Sequence, residues 1–342
     1  ISVMDARKLT KLRKDLASFL DDVVGTLGNS RRRRWCETYV RGVLLDGGRK
    51  SIEPMAARLQ KIESGAEDYE QAIQQFINQS PWDEQAVVDG LQAWIGRRFG
   101  RDGFLILDDT GFPKQGTHSV GVARQYTGSA GKITNCQVVV TMAVFTPQHA
   151  VPVDAQLYLP QSWADDTTRR QTARIPEEIG FRTKGEIALS MLRDAHADAV
   201  PLGEILLADA DYGRLWALRQ WCREVGMRYG VGVHPTQRVW DAEATWITPM
   251  TAAEYAACVP AKNYRRISWR TGANGQTLSS RFAFLRVQVT QHGDEPPSDD
   301  TPSEWLVMEW RDGEDEPRHF YLCNLPEDTS WPKLVGTIKE RW

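Results

Sequence analysis

The sequence predicts an α/β protein in which helices pack on a mixed sheet and an all-helical domain comes first. Two observations support this class. Up to about residue 100, apolar residues recur with the three-to-four spacing of amphipathic helices. Beyond that point, short apolar runs of strand length alternate with further helical segments, an order typical of a sheet covered by helices.

Five helices are predicted in the first hundred residues. The first carries an apolar stripe made of Leu9, Leu12, Leu16, Phe19, Leu20 and Val23. Asn29 and Ser30 cap the second helix, and Ser51 opens the third. Two more helices are expected at residues 69–77 and 83–99. The pattern therefore predicts a helical domain over residues 1–100.

The following segments are predicted to form three antiparallel strands and then a helix, a strand, a helix and a strand. In chain order they are strands 104–108, 119–126 and 135–145, helix 183–197, strand 205–209, helix 213–225 and strand 227–233. Residues 128–131, rich in glycine, supply a hairpin, and residues 151–159 add an extended segment. Strands separated by helices imply right-handed parallel crossovers, so the sheet should be mixed.

Composition describes an ordinary globular chain. It has 342 residues, of which 41% are apolar and 25% charged, and its net charge is −3, so any nucleic-acid surface must come from local clustering of charge. Its five cysteines are far apart and support neither a disulfide framework nor a zinc site. No stretch resembles a signal peptide or a membrane span, so we expect a cytoplasmic protein. A start at Ile1 and a stop at Trp342, inside a predicted helix, are typical of a fragment or a processed form.

Two apolar runs of strand length each end on a carboxylate, Asp108 and Asp209. A buried strand ordinarily ends in a turn residue or a polar cap, so this pattern suggests carboxylates brought together around a divalent metal. Transfer of a phosphodiester needs a deprotonated nucleophile and a stabilised leaving alkoxide, and two divalent ions roughly 3.5 to 4 Å apart serve both needs. The pair therefore indicates phosphoryl-transfer chemistry on nucleic acid.

A run of four arginines, Arg31, Arg32, Arg33 and Arg34, is the peak of a basic region. Between residues 7 and 50, basic residues outnumber acidic ones by roughly two to one, which suits contact with DNA phosphates. A solvated helix start with long side chains explains the run equally well.

Both acids stand in longer motifs. Residues 107–116 read LDDTGFPKQG, residues 118–126 read HSVGVARQY, and residues 207–213 read LADADYG. These motifs and the order of strands resemble those of bacterial insertion-sequence transposases of the DDE type, the cut-and-paste group, whose core has a ribonuclease H-like fold. The resemblance extends over nearly the whole chain.

That resemblance implies four segments and an activity. The segments are a helical DNA-binding or dimerisation domain at 1–100, the first part of the catalytic core at 101–235, a β-rich insertion at 236–318, and the final strand with the start of the closing helix at 319–342. The activity implied is cleavage and joining of element ends with two Mg²⁺ or Mn²⁺ ions. The expected partners are double-stranded DNA of the terminal inverted repeats and of the target, and a second copy in a homodimer on DNA. Such an enzyme would be nucleoid-associated in a bacterial cytoplasm.

Asp108 and Asp209 are the catalytic acids and metal ligands that the resemblance implies. Strand alternation turns Asp109 to the other face, where a turn carboxylate bonding the nearby backbone is the expected role, so it is the lesser candidate. In the family the third acid is a glutamate a few residues past a tryptophan that matches Trp342. Within this sequence Glu340 is therefore only a weak candidate, and a solvent-facing helix residue is the alternative.

Two other functions stay open. The first is a catalytically inactive, transposase-derived DNA-binding or regulatory protein, which the lack of a third acid favours. The second is a stand-alone ribonuclease H-like nuclease, which the long insertion and the basic helical domain disfavour.

Further DNA contacts are expected at Lys114, Arg124 and Trp163. Lys114 follows the first acid and is a candidate to hold a phosphate, although a surface loop lysine is the alternative. Arg124 lies on the second strand, where cross-strand pairing explains it as well. Trp163 lies in a polar loop and is a candidate to stack on an exposed base, with a core position as the alternative. Asp211 is expected to cap the helix that follows it.

Overall fold

The computed structural model describes residues 5–63, 68–99, 103–128, 130–146, 148–199, 203–243, 248–272 and 275–341. Contacts between residues divide the chain into two compact units, Ile1–Arg98 and Phe99–Trp342. Each unit has a hydrophobic core of its own.

The five helices predicted in the first unit are present. They are α1 (Ala6–Val24), α2 (Ser30–Leu44), α3 (Ile52–Ile62), α4 (Tyr69–Gln79) and α5 (Glu84–Phe99). As expected, Asn29 caps α2, because its side chain accepts the backbone N–H of Arg32 at 2.8 Å. Asp68 caps α4 in the same way at 3.0 Å. Polar caps thus set where these helices begin.

The apolar stripe predicted for α1 is buried only toward its end. Leu20 and Val23 are 6% and 5% exposed, whereas Leu9 and Leu12 are 43% and 46% exposed. The buried part belongs to the core cluster that also contains Trp35. Helical spacing identifies an apolar face, but the partners that cover it decide how much of that face is buried.

The second unit holds all the described strands. They are β1 (Phe104–Pro113), β2 (Ala123–Thr127), β3 (Lys132–Phe145), β4 (Ala150–Leu157), β5 (Ile205–Ala208), β6 (Arg228–Val233), β7 (Arg238–Asp241), β8 (Met250–Thr251), β9 (Arg265–Thr271), β10 (Thr277–Gln288), β11 (Ser303–Trp310) and β12 (His319–Cys323). Its helices are α6 (Gln161–Ala164), α7 (Thr167–Ala173), α8 (Lys184–Ala197), α9 (Ala210–Gly213), α10 (Trp216–Glu224), α11 (Ala252–Cys258) and α12 (Trp331–Lys339).

These strands form one mixed sheet. Its order is β2-β3-β1-β5-β6-β12-β11-β10-β7-β8, with β4 paired to β3 and β9 paired to β10. β1 is antiparallel to β3 and parallel to β5, and β5 is parallel to β6. The parallel pairs are those whose strands are separated by helices, as the crossover rule requires. The predicted α/β class with a mixed sheet is confirmed.

Among the strand boundaries that differ from the predicted ones, those of the first two strands differ most. β1 continues to Pro113, so Asp108 lies within the strand rather than at its end, because β3 pairs with β1 along its whole length. The second strand begins only at Ala123, since residues 119–122 form a turn. Ser129, within the predicted hairpin, lies outside the described residues.

Strands from residue 236 onward extend the same sheet. β12 pairs antiparallel with β6, β11 pairs with β12, and β10 pairs with β11. Helix α12 buries Leu334, Val335 and Ile338 in the core beside these strands. None of the described helices combines the length and the apolar character that crossing a membrane requires.

Candidate active site

The two acids singled out in the sequence stand on neighbouring parallel strands. β1 and β5 pair in a register that sets Ile106 beside Leu207. Continuing this register by two residues places Asp108 level with Asp209, which directly follows β5. Backbone pairing therefore brings the two carboxylates to the same level of the sheet.

A guanidinium group lies between these two carboxylates. Nη2 of Arg341 is 2.8 Å from Oδ1 of Asp108 and 3.4 Å from Oδ2 of Asp209. The arginine side chain is 4% exposed, whereas those of Asp108 and Asp209 are 51% and 33% exposed. One buried cation thus holds the two acids together, and both carboxylates keep part of their surface open to solvent.

Asp209 also caps a helix. Its Oδ1 accepts the backbone N–H groups of Asp211 and Tyr212 at 3.0 and 3.4 Å, at the start of α9. The prediction that Asp211 is the cap was wrong, because α9 begins earlier than expected and Asp211 lies inside it. Burial raises the pKa of Asp209, and the charge of Asp108 adds to the rise, while Arg341 and the Tyr212 amide oppose it.

Asp109 lies in a different environment from Asp108. One of its carboxylate oxygens accepts the hydroxyl of Tyr212, and the other contacts the ammonium of Lys184. Because β1 continues past it, Asp109 is a strand residue with two side-chain partners and not the expected turn carboxylate. Burial and the charge of Asp109 raise the pKa of Tyr212 far above its ordinary value, so this hydroxyl stays protonated and donates.

Sequence reasoning missed three residues of this site, namely Lys184, Tyr212 and Arg341. Tyr212 lies in the second acidic motif, three residues after Asp209, and Arg341 lies directly before the tryptophan of the closing motif. These positions were the available signals for both residues. Lys184 lies in none of the quoted motifs. It is 75 residues from Asp109 in the sequence, so nothing local indicated that the two side chains are in contact.

The site fits a divalent cation through its two aspartates. Mg²⁺ prefers oxygen ligands and keeps several waters, so two carboxylates partly open to solvent are suitable ligands. Nowhere in the described residues do three or more His, Cys, Asp or Glu side chains form a group that could hold a metal ion. A cation between Asp108 and Asp209 would take the place that Arg341 holds here.

Glu340 is not grouped with the two aspartates in the described part of the chain. It is the C-cap of α12, and its backbone N–H bonds to the carbonyl of Thr337 at 3.3 Å. Its side chain is partly exposed, which fits the alternative interpretation of Glu340 as a helix residue that faces solvent.

The two basic residues expected to contact DNA from the core are both exposed. Lys114 directly follows β1, in a turn that Asn135 fixes by donating to the carbonyls of Lys114 and Gly116, both at 2.8 Å. Arg124 lies on β2, across from Asn135 on β3. Both cations are therefore accessible to a ligand.

The expectation for Trp163 was wrong. The polar loop predicted around it forms the short helices α6 and α7, and the tryptophan is 1% exposed. Its indole N–H donates to the carbonyl of Val122 at 2.8 Å, and the guanidinium of Arg169 lies 3.5 Å from the centre of the ring. A ring enclosed in this way cannot stack on a base and instead forms part of a small core cluster.

Arg31 to Arg33 lie in the first turn of α2, and Arg34 follows at the start of the second. Arg31, Arg33 and Arg34 are exposed, whereas Arg32 folds back and donates to the carbonyl of Leu27 at 3.2 Å. Cations at the N-terminus of a helix oppose the helix dipole, so the run does not stabilise the helix that carries it. An anionic ligand would relieve this unfavourable arrangement.

Comparison with known proteins points to the same chemistry. A family model described as DDE superfamily endonuclease matches residues 22–294. A relative from Microchaete diplosiphon, described as a probable transposase for insertion sequence element IS701, is 30% identical over 147 residues. That match covers 43% of this chain and 36% of the relative, so the chain is aligned with little more than a third of it.

Proposed function

Because the chain belongs to the DDE superfamily of endonucleases, we propose that it is a DNA transposase that cleaves and joins the ends of an insertion sequence. The observation that carries the proposal is the pair of carboxylates, Asp108 and Asp209, level with each other on two parallel strands. The similarity to a probable insertion-sequence transposase supports transposition over other nuclease reactions.

The core that presents these acids is proposed to be ribonuclease H-like. In support, β4, β3 and β1 are successively antiparallel, and β5 and β6 follow parallel to β1. The sequence predicts the same succession of three antiparallel strands and two later ones, although it assigns the antiparallel strands to residues 104–108, 119–126 and 135–145. Strands β7 to β11 would correspond to the β-rich insertion, and β12 to the final strand of the core.

Asp108 and Asp209 are the proposed ligands for Mg²⁺ or Mn²⁺, since the superfamily typically uses divalent metals. Such ions, when bound, activate the attacking oxygen and stabilise the leaving alkoxide. Lys184 compensates the charge of Asp109, and Tyr212 donates a hydrogen bond to it, so that this third carboxylate adds little repulsion toward an anionic phosphodiester.

The DNA contacts are proposed for Arg31 to Arg34, Lys114 and Arg124, all of which except the partly buried Arg32 present cations at exposed positions. Phosphate contacts of this kind position the protein on the duplex without reading its sequence. Transposition brings two element ends together, so the active form is proposed to be a homodimer on DNA.

Cleavage of a duplex that carries the terminal repeats of the element encoding this chain tests the function. We expect the wild type to nick it in Mg²⁺ or Mn²⁺, and Asp108→Asn and Asp209→Asn to lose cleavage while still binding the duplex. Asp209→Asn is a clean variant, because asparagine caps a helix as well as aspartate does. Asp211→Asn, at an exposed acid two residues away, is the matched control and should cut.

A DNA-binding protein without catalytic activity is the second candidate. It is favoured because Asp108 and Asp209 pair with Arg341, and no third carboxylate joins them in the described residues. Binding of the terminal repeats without cleavage in either metal would decide for this candidate. Absence of binding to any duplex would refute both.

A further inference from the structure

A cavity of about 320 Å³ opens beyond the ends of β5 and β6. Its wall combines the end of α9, the start of α10, the segment after β6 and the segment after β10. The arginine and histidine side chains that line it, and that define what we call the arginine pocket, are Arg214, Arg219, His234, Arg238 and His292.

Arg219 is the most unusual of these side chains. It is 1% exposed, and its Nη1 donates to the carbonyl of Gly213. Its Nε is buried without a hydrogen-bond partner, and no carboxylate of the described residues forms an ion pair with it. A buried cation without a counter-ion is costly, so such groups are normally paired.

Arg223, one turn later on α10, shows the usual arrangement. Its guanidinium is 2.7 Å from Oε1 of Glu304, which is fully buried and also accepts the hydroxyl of Tyr229. The same helix therefore carries one partly buried arginine with a protein counter-ion, and one fully buried arginine without a counter-ion among the described residues. The missing counter-ion of Arg219 is expected to come from a ligand in the pocket.

The neighbouring charges leave the pocket positive. Arg238 pairs with Asp294 at 2.7 Å, and His234 lies 3.6 Å from Asp211. Arg214 is exposed and, like Arg219, has no carboxylate partner in the part of the chain that the structure describes. Two arginines are thus available to one small anionic group.

We propose that the arginine pocket binds a phosphate of the DNA backbone, an inference that rests on the proposed function. The pocket is close in the fold to the candidate active site, because Asp209 begins the short helix α9 and Arg214 ends it. Five residues separate these ends, which corresponds to about 7.5 Å along the axis of a helix. A DNA strand bound at Asp108 and Asp209 is therefore close enough to contact the arginine pocket as well. A free phosphate or a small phosphate ester has the same chemistry.

Arg219→Met separates ligand binding from folding. Replacing an unpaired buried cation with an apolar side chain is neutral or stabilising, so the free variant should unfold at or above the wild-type temperature. Its affinity for duplex DNA should fall, and the slope of log affinity against log salt should decrease by about 0.9 for each phosphate that the variant no longer neutralises. Arg223→Met is the opposite case and should destabilise the protein, because it leaves Glu304 without its cation.

Arg214→Gln gives the same test at an exposed position that folding does not need. Its salt slope should also decrease by about 0.9, whereas Arg193→Gln, at an exposed arginine on α8 outside the pocket, should leave the slope unchanged. If Arg219→Met and Arg214→Gln both kept the wild-type DNA affinity and salt slope, the arginine pocket would not be a phosphate site. The proposed function would be unaffected by that result.

Inorganic phosphate is the second probe and does not depend on DNA. Thermal scans should show that phosphate raises the unfolding temperature of the wild type and of Arg193→Gln more than that of Arg219→Met. Equal rises of the unfolding temperature in all three proteins would contradict phosphate binding in the arginine pocket. In a third outcome, phosphate raises the unfolding temperature only when the pocket is intact, while the protein binds no DNA duplex at all. That result would replace DNA by free phosphate or its small esters as the ligand of the pocket. That last result would also refute the proposed function.

Discussion

At the scale of single residues, the acids of the site fall into two separately balanced groups. Arg341 lies against Asp108 and Asp209, while Lys184 neutralises Asp109 and Tyr212 donates a hydrogen bond to it. Successive residues of a strand point to opposite faces, so two adjacent aspartates can have unlike partners. Partners on both faces of β1 therefore reduce the repulsion expected between the neighbouring carboxylates.

The bond between Tyr212 and Asp109 also links the two strands that carry the acids. Asp109 follows Asp108 on β1, and Tyr212 follows Asp209 by three residues, inside the helix that Asp209 caps. The hydroxyl thus ties β1 to α9. We infer that it holds the two metal-ligand candidates in their relative position, as a residue that supports them without touching the metal.

Tyr212→Phe should therefore weaken Mn²⁺ binding as well as the fold. Loss of a buried hydrogen bond to a charged acceptor costs about 1.5–3 kcal/mol in the free energy of unfolding. We expect a weaker Mn²⁺ affinity by titration calorimetry, because Asp108 and Asp209 lose their fixed spacing. Urea unfolding measures the effect on stability.

Tyr229→Phe is the matched control for this variant. Its hydroxyl is also buried and donates to a carboxylate, that of Glu304, at 2.7 Å, but away from the two aspartates. The control should lose comparable stability and keep its Mn²⁺ affinity. An equal loss of Mn²⁺ affinity in both variants would show that Tyr212 acts only through general stability.

The sequence allowed the pair of acids to be predicted but not its supporting residues. Asp108 and Asp209 each follow an apolar run, which is a local pattern, and alternation along the strand separated Asp109 from Asp108. Lys184 and Arg341 reach the aspartates only through tertiary packing, so no local pattern shows which carboxylates they contact. Trp163 failed as a prediction for a related reason, since polar neighbours in sequence said nothing about the core cluster around it.

At the scale of elements, a buried ion pair fixes the last helix on the sheet. Lys339, at the end of α12, is 3% exposed, and its Nζ lies 2.5 Å from Oε2 of Glu309 on β11. The same carboxylate oxygen accepts the hydroxyl of Tyr321 on β12 at 2.8 Å. Arg341 follows two residues after Lys339, so this pair helps to determine where its guanidinium lies.

Glu309→Gln should destabilise the protein strongly at neutral pH. Burial tends to raise the pKa of Glu309, but Lys339 and then Arg311 outweigh it and hold the pKa below its ordinary value of 4.5. Because the folded pKa is the lower one, the ionised carboxylate stabilises the fold above the unfolded pKa, and this contribution is lost as the pH falls through the folded pKa. Removing one partner of a buried pair costs about 3–5 kcal/mol.

Urea unfolding at pH 7 and in acid measures this effect. The gap between wild type and Glu309→Gln should narrow as the pH falls below about 4.5. Glu316→Gln is the control, because Glu316 is exposed and lies 3.5 Å from Arg318, an arrangement worth about 0–1 kcal/mol. A gap of the same size at both pH values would contradict an ionic role for Glu309.

Strand order was easier to predict than strand length. A continuous apolar run identified β1, and the helices between β1, β5 and β6 indicated parallel pairing. The length of β1 is instead set by its partner β3, which pairs with it from Phe104 to Pro113. That pairing extends the strand past two aspartates and a glycine, residue types that disfavour strands.

At the scale of the whole molecule, positive charge is concentrated locally while the net charge is −3. The largest run in the sequence is Arg31 to Arg34 on α2, in the first unit. Replacing all four by alanine should weaken DNA binding and reduce the slope of log affinity against log salt by up to about four units. Fluorescence anisotropy over a salt series measures both quantities.

A loss of binding in this variant should not come from unfolding. Removing cations from the first turn of α2 relieves their repulsion by the helix dipole, worth about 0.3–1 kcal/mol for each charge. A variant with all four arginines changed to lysine keeps the charge and should retain most of the slope, because counterion release depends on charge more than on the shape of the cation. An unchanged slope in the alanine variant would mean that the four arginines are a solvated helix start and do not contact DNA phosphates. A lysine variant as weak as the alanine one would mean that the guanidinium geometry, and not the charge, makes the contact.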